Sequence, residues 1–185
     1  MQNRKSSMIK AAYAMALSLA LTAGTANAAL ISRLDGAAAY DDVRNITWIT
    51  NAGLSVSNTW DNQVAWADGL DTLGYDDWRL ASKDDLSAMY GYLGGSGNLT
   101  GTQTVGDVTF TNIQSAYWSG TESGSSNAWL FGFSVDVQLS IGKDDRNVAG
   151  WAVRDGDVAV PEPSSVALLS LGLAGFGLSR RRKAA

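Results

Sequence analysis

The chain has 185 residues and contains no cysteine and no histidine, which excludes a disulfide framework, a Ser-His-Asp triad, a Cys-His pair and a His-based zinc or iron site. Residues 29–160 carry seven Arg and Lys against seventeen Asp and Glu, a net charge of −10, whereas the whole chain has −4. Because an acidic module repels phosphate backbones, the composition argues against nucleic acid as a partner.

The first segment, residues 1–28, has the three parts of a secretory signal peptide. Three basic residues precede a nearly uniform apolar run over residues 11–23, and the small-x-small sequence Ala26-Asn27-Ala28 follows. We predict cleavage by signal peptidase between Ala28 and Ala29. An uncleaved anchor helix is the alternative, but the apolar run is shorter than the roughly 20 residues that a spanning helix needs.

Two helices are predicted in the domain that follows. The first covers roughly residues 60–73, with Asn58 or Thr59 as its cap. The second begins at Ser82-Lys83-Asp84-Asp85, which resembles a capping box, and ends at Gly94-Gly95. Its apolar stripe at helical spacing consists of Leu86, Met89, Tyr90 and Leu93.

Short strands account for the rest of this domain. In residues 127–135, large apolar side chains such as Trp129 and Phe131 occupy alternate positions, which predicts a strand with one heavily apolar face. The Gly, Ser and Thr content of residues 94–101 and 119–126 predicts loops. Helices early and strands late favour an α+β domain with a mainly antiparallel sheet over residues 29–158. The predicted strands are residues 45–50, 105–111, 116–119, 127–135, 137–141 and 148–154.

The seven tryptophans allow two interpretations. Tryptophan faces hold pyranose rings in sugar-binding sites, yet most of these tryptophans lie on predicted apolar stripes, where a large ring fills core volume. Trp118, beside a Ser/Gly-rich loop, is the one that we expect to contact a ligand. Arg79 is expected to form an ion pair with Asp76, Asp77 or Asp155, and a ligand contact is the alternative for it.

The carboxylates leave two kinds of chemistry open. Glycoside hydrolysis needs two acids about 5 to 9 Å apart in a cleft, a separation that a sequence does not show. The second possibility is calcium binding, with Asp144, Asp145 and Asn147 as candidate oxygen ligands. No acidic cluster has the spacing of an EF-hand loop, so a solvated acidic face is the competing interpretation, and no other cofactor is expected.

The last segment, residues 159–185, contains both prolines of the chain in Pro161-Glu162-Pro163-Ser164. Proline restricts the backbone and lacks a donor, which favours an extended segment here. The apolar residues 166–178 and the basic residues 180–183 follow, which predicts transient insertion of the tail into the membrane with its basic end in the cytoplasm. A membrane helix that is retained is the alternative.

In order and spacing, this segment resembles the PEP-CTERM family of sorting signals. The resemblance implies that an exosortase-type membrane transpeptidase recognises residues 161–164 and cuts the tail away. The protein would then be released, or joined to the envelope or to an extracellular polymer, much as lipid-anchor signals lose their hydrophobic tail.

A second set of motifs spans most of residues 38–155. Its members are Tyr40-Asp41-Asp42, Thr47-Trp48, Trp60 with Ala65-Trp66 and Leu70, Tyr75-Asp76-Asp77-Trp78-Arg79-Leu80-Ala81-Ser82 with Asp85-Leu86, Tyr117-Trp118-Ser119, Trp129-Leu130-Phe131 and Val153-Arg154. In these motifs the chain resembles the Lcl C-terminal domain family, although Ala81-Ser82 and Gly120-Thr121 stand where that family has Pro-Thr and Ser-Thr. The resemblance implies a compact α+β module near the C-type-lectin-like folds, found in secreted or surface proteins, and it brings no catalytic residues.

Taken together, the sequence predicts an exported, exosortase-sorted protein of the cell surface or extracellular matrix. Its domain is expected to be non-catalytic and to bind partners in adhesion, extracellular polysaccharide among them. A carboxylate-dependent glycoside hydrolase and a purely structural secreted protein are the alternatives.

Overall fold

The computed structural model describes residues 30–158. The predicted signal peptide, its cleavage site and the predicted sorting tail lie outside the described residues. Within them, two helices and eleven strands, nearly all paired antiparallel, confirm the predicted α+β class. The helices are α1 (Trp60–Asp68) and α2 (Lys83–Tyr92), and the strands are β1 (Leu30–Arg33), β2 (Ala38–Asp41), β3 (Ile46–Ile49), β4 (Arg79–Leu80), β5 (Gly101–Val105), β6 (Val108–Ile113), β7 (Ala116–Glu122), β8 (Asn127–Gly132), β9 (Val137–Gly142), β10 (Ala149–Gly150) and β11 (Ala152–Asp155).

The first sheet joins the start of the described chain to its end. Its strand order is β1-β2-β3-β11-β4, with every neighbouring pair antiparallel. The register places Leu30, Asp41, Ile46 and Asp155 side by side at one end of this sheet. Both ends of the described chain therefore leave the domain from the same end of the first sheet.

The second sheet has the order β10-β7-β8-β9, and only the short β10 runs parallel to its neighbour. Strand β9 pairs with β8 alone, so it forms an edge of this sheet. Strands β5 and β6 form a separate two-stranded hairpin. The chain thus builds two sheets that are linked by β10 and β11, with Trp151 between these two strands.

The two helices form where the sequence predicts them, but α1 is shorter than expected. It ends at Asp68, because Gly69 leaves the helical backbone conformation and Leu70 donates its N–H to the carbonyl of Ala67 instead of that of Trp66. Helix α2 begins with the predicted capping box: the Ser82 hydroxyl accepts from the Asp85 N–H, and the Asp85 carboxylate accepts from the Ser82 N–H. Such a box supplies partners for two otherwise unpaired backbone donors.

Several predicted strands have different bounds in the structure. The strand predicted over residues 127–135 ends at Gly132, and Val135 is 66% exposed beyond it. The prediction of a single apolar face was wrong, because β8 is a central strand covered on one face by α2 and the main core and on the other by the α1 cluster. Of the predicted loops, residues 119–126 contain the end of β7, and residues 94–101 end at the first residue of β5.

The remaining differences involve short strands. Residues 105–111 belong to both strands of the β5–β6 hairpin, whose turn lies at Gly106. Residues 148–154 divide at Trp151, because β10 joins the second sheet and β11 the first. Strands β1, β2 and β4 were not predicted. Each has four residues or fewer, so little periodicity shows in the sequence.

The core is aromatic. Trp151 lies at its centre and contacts Trp48 edge-on with ring centroids 5.1 Å apart, and also contacts Phe110, Tyr117 and Phe133. Such edge-to-face pairs contribute about 0.5–1.5 kcal/mol beyond the burial of their area. The prediction that most tryptophans fill the core is confirmed for Trp48, Trp60, Trp78 and Trp151, and Trp118 is buried as well. Among residues 30–158, no helix is both long and apolar enough to cross a membrane.

Candidate functional site

An open groove lies on the face of the second sheet that points away from the main core. The register of β8 with β9 places Leu130 beside Leu139 and Gly132 beside Val137 on this face. Helix α1 packs against one part of the face, around Trp118 and Leu130, and leaves the rest uncovered. The resulting groove has a volume of about 350 Å³ and is lined by Ser115, Ala116, Leu130, Gly132, Ser134, Val135, Val137, Leu139, Arg146 and Val148.

A second, polar cavity of about 180 Å³ adjoins this groove. The two share Ser115, Ala116 and Val148 as lining residues. The cavity adds hydroxyl and amide side chains, while the groove is walled mainly by aliphatic groups. The surface therefore offers an apolar section and a polar section side by side, and the additional residues of the polar section are Ser57, Gln114, Asn147 and Ala149.

Backbone pairing fixes the wall that both sections share. Asn58 and Val148 exchange backbone hydrogen bonds of 3.1 and 3.0 Å. The Ser55 hydroxyl bonds both backbone groups of Gly150: it accepts from the Gly150 N–H at 2.6 Å and donates to the Gly150 carbonyl at 3.0 Å. The buried Gln63 of α1 donates to the carbonyls of Val56 at 2.6 Å and of Val148 at 2.8 Å. Helix α1 thereby holds the wall from behind.

Trp118, the tryptophan expected to contact a ligand, supports this wall from inside. Its side chain is fully buried, and its indole N–H donates to the carbonyl of Asn58 at 3.1 Å. No face of the ring is open to stack on a sugar, because α1 and β8 cover it. The structure removes Trp118 from the candidate ligand contacts, and its position beside a Ser/Gly-rich loop was a misleading signal, since β7 continues through that segment.

Arg79, the other candidate contact, is engaged in ion pairs. It reaches Asp155, one of the three acids named for it, at 2.7 Å, and Asp85 at 3.3 Å. Asp85 also accepts from Arg44 at 3.4 Å and closes the capping box of α2. Burial raises the pKa of Asp85, but hydrogen bonds from Ser82 and the charge of Arg79 outweigh it and hold that pKa below its usual value.

Arg146 is the basic residue that stands apart. The other six Arg and Lys side chains of residues 30–158 each lie within 4.0 Å of a carboxylate: Arg33, Arg44, Arg79, Lys83, Lys143 and Arg154. Arg146 has no such partner within the described part of the chain, and it lines the apolar groove next to Val148. A guanidinium carries five donors and is always charged, so the groove has one unpaired cation at its side.

The three candidate calcium ligands have different surroundings in the structure. The Asp145 carboxylate accepts from the N–H of Gly142 at 3.0 Å and so closes the turn after β9. Asn147 lines the polar cavity, and Asp144 is exposed. Across residues 30–158 no group of three or more acidic side chains gathers in a way that could hold a metal ion.

Sequence reasoning missed Arg146 although it lies between two of the residues named for calcium. Its isolation depends on which acid approaches which base after folding, and those partners are far apart in sequence: Arg33 and Asp157 are 124 positions apart. The one signal available was a basic side chain in a segment otherwise rich in Asp and Asn.

Comparison with known proteins agrees with the residues quoted above. Residues 37–154 match the model of the Lcl C-terminal domain, and residues 159–183 match the PEP-CTERM protein-sorting motif. No curated protein matches the chain. The sorting motif marks an exported protein that is processed by an exosortase, a membrane enzyme. The chain belongs to the Lcl C-terminal domain family and carries a PEP-CTERM protein-sorting motif behind that domain.

Proposed function

We propose that the domain is a non-catalytic binding module of the cell surface or extracellular matrix, and that it holds extracellular polysaccharide in the groove beside Arg146. The observation that carries this proposal is the isolation of Arg146 in a domain whose other cations are paired. An unpaired guanidinium at the side of a concave surface favours a ligand with anionic groups, because it binds carboxylates and related anions with two parallel hydrogen bonds.

The two sections of the surface suit a polysaccharide chain. Aliphatic side chains such as Leu130 and Val137 can cover the C–H face of a sugar ring, and neighbouring hydroxyl and amide groups can bond its hydroxyls. Ser57 and Asn147 supply such groups in the polar cavity. Backbone pairing holds the wall that the groove and the polar cavity share, which reduces the entropy cost of ordering that wall on binding.

The lining of the groove supports a non-catalytic role over the alternative of a glycoside hydrolase. Hydrolysis of a glycosidic bond needs two carboxyl groups on either side of it. None of the described residues that line the groove or the polar cavity is Asp or Glu. A purely structural role is the remaining alternative, and it makes no use of the groove.

The layout of the first sheet supports display on a surface. Both ends of the described chain leave from the end of the sheet where Leu30 and Asp155 stand. The groove lies beyond the other end, past Ile49 and Ala152, where Ser55 bonds Gly150. A protein attached through its C-terminal side would therefore turn the groove outward. The presence of the first and last strands in one sheet, together with two helices, also agrees with a C-type-lectin-like fold.

Export would proceed in the predicted order. Signal peptidase would cut after Ala28, the tail would enter the membrane transiently, and the exosortase would process it near Pro161-Glu162-Pro163-Ser164. Intact mass of the protein from its native host, compared with a host that lacks the exosortase, tests this. A retained C-terminal end in both hosts would contradict processing.

Binding is tested by retention of the purified, processed protein on extracellular polysaccharide from its native host. Arg146→Gln removes one charge in the groove, and Lys83→Gln removes one charge outside it. Because a hydrogen bond to a charged group contributes about 1.5–3 kcal/mol, we expect Arg146→Gln to weaken retention at least about tenfold. Lys83→Gln should leave it within about twofold, since Lys83 makes a surface pair with Asp84 at 4.0 Å.

Equal retention of the two variants would contradict the groove as the binding site. The same incubations report on the alternative enzyme, because hydrolysis releases new reducing ends. If new reducing ends appear, and no longer appear after one acid is removed, the domain is a hydrolase and not a binding module.

A further inference from the structure

Strand β9 is an unprotected sheet edge. It forms one side of the second sheet and pairs with β8 alone. Its sequence, Val-Gln-Leu-Ser-Ile-Gly, contains no charge and no proline, and no bulge interrupts its register with β8. Proteins usually protect such an edge with lysine, proline, a bulge or a covering segment. Strand β9 has none of these within residues 30–158.

The hydrogen-bonding pattern shows which groups of β9 face outward. The N–H of Lys143 donates to the carbonyl of Ser126. Because antiparallel pairs alternate, Ile141, Leu139 and Val137 then bond to β8. The backbone groups of Gln138 and Ser140 point away from the sheet, so the edge presents a short row of donors and acceptors in the plane of the sheet.

We propose that two copies of this protein associate by antiparallel pairing of β9 with β9 across a twofold axis at Leu139. In that register Gln138 of one copy pairs with Ser140 of the other through the outward backbone groups. Leu139 then lies opposite Leu139, and Val137 lies opposite Ile141. Apolar side chains meet on the groove face and polar side chains meet on the opposite face, so the strand is complementary to itself.

Charge favours this edge over the rest of the domain as the contact between copies. Two domains of net charge −10 repel each other. Strand β9 lets them approach along an uncharged segment. Of the five exposed large apolar residues within residues 30–158, Leu139 is on β9 and Val135 precedes it. Three other edge strands of the described residues are also uncharged. Strand β5 contains a bulge and exposes threonines, β6 bonds Thr50 and Ala52 through Thr111, and β10 has only two residues.

The inference does not depend on which ligand the groove holds, although the proposed contact shares Val137 and Leu139 with the lining of the groove. In the dimer, the two sheets become one continuous sheet of eight strands, and the two grooves lie on the same face with Leu139 between them.

A cysteine scan tests both the contact and its register, since the chain has no cysteine of its own. At the axis, the Cα atoms of a non-hydrogen-bonded pair are about 4.5 Å apart, within the range that a disulfide spans. Leu139→Cys in the processed protein should therefore form a covalent dimer on mild oxidation. Gln138→Cys should not, because its copy lies two residues away along the partner strand, more than about 7 Å distant. Val43→Cys, at an exposed apolar site elsewhere, is the second control.

Sedimentation velocity tests the association without a covalent link. The wild-type protein should be dimeric at about 100 µM, the range in which a micromolar contact is populated. Ser140→Pro removes an outward N–H that makes no bond to β8, so the sheet itself keeps its hydrogen bonds. Leu139→Lys places two like charges opposite each other at the axis. Both variants should be monomeric. Val43→Lys should remain dimeric.

Three results would overturn the proposal: a monomeric wild type, dimers that persist in Leu139→Lys and Ser140→Pro, or cross-linking of Gln138→Cys in preference to Leu139→Cys. A monomeric wild type that binds an extended peptide, with loss of that binding in Ser140→Pro, would assign the edge to a different protein instead.

Discussion

Replacement of Asp85 by asparagine removes the charge that joins α2 to the first sheet. The Asp85 residue is 6% exposed, and its carboxylate accepts from the Ser82 N–H at 2.9 Å, from Arg79 at 3.3 Å and from Arg44 at 3.4 Å. An asparagine oxygen can still accept from Ser82, so the loss is that of the two charged partners. Hydrogen bonds to charged groups contribute about 1.5–3 kcal/mol, and both arginines can turn to water, so we expect a loss of about 2 kcal/mol in the free energy of unfolding at pH 7.

The pH dependence of this loss gives the sharper measurement. The pKa of folded Asp85 lies below its ordinary value of about 3.9. Ionised Asp85 therefore contributes its full stability above about pH 5, and this contribution disappears as the pH falls through the folded-state pKa. Urea unfolding of wild type and Asp85→Asn is measured at pH 7, 5 and 3. The gap between their free energies of unfolding should be the same at pH 7 and pH 5 and smaller at pH 3.

Asp84→Asn is the matched control, since Asp84 occupies the same first turn of α2 but has a side chain that is 77% exposed. Its loss should stay within about 0.5 kcal/mol at every pH, as expected for a surface pair and a helix-end charge. A gap between wild type and Asp85→Asn that does not change between pH 7 and 3 would refute the reasoning, because the stabilisation would then not depend on ionisation.

Four further substitutions test the packing around the groove wall and α2 by the same urea unfolding. Trp118→Ala should cost about 3–5 kcal/mol, as for other fully buried aromatic residues, and a loss below about 1 kcal/mol would contradict its burial. Gly150→Ala should destabilise the protein by about 1–3 kcal/mol, because a Cβ there would approach the Leu80 side chain to 2.7 Å. Gly91→Ala is the opposite case: Gly91 lies within α2 and a Cβ there would meet no atom, so this change should stabilise the protein by up to about 1 kcal/mol. Tyr117→Phe should cost about 1–3 kcal/mol, since the hydroxyl donates to the carbonyl of Ala52 at 3.0 Å; an unchanged midpoint would exclude that bond.

Local signals in the sequence were sufficient for some elements. The start of α2 is set within four residues by Ser82 and Asp85, which exchange hydrogen bonds wherever the helix lies in the fold. The exported class and the sorting motif likewise depend on contiguous segments. The burial of Trp48, Trp60, Trp78 and Trp151 follows from their position among other apolar residues, because large apolar rings lose most by staying in water.

The site depended on contacts between distant segments. Trp118 is buried because α1, more than fifty residues earlier in sequence, closes over β7, and no pattern around Trp118 records that contact. Arg146 is unpaired because folding brings acids to the other cations and none to Arg146. These partners are distant in sequence: Arg79 and Asp155 are 76 positions apart. The sequence by itself determined the apolar core, the start of α2 and the export signals, since these depend on neighbouring residues. Only the tertiary structure decided which cation stays free, which sheet face stays open and which strand forms an edge, because each depends on what the rest of the chain covers.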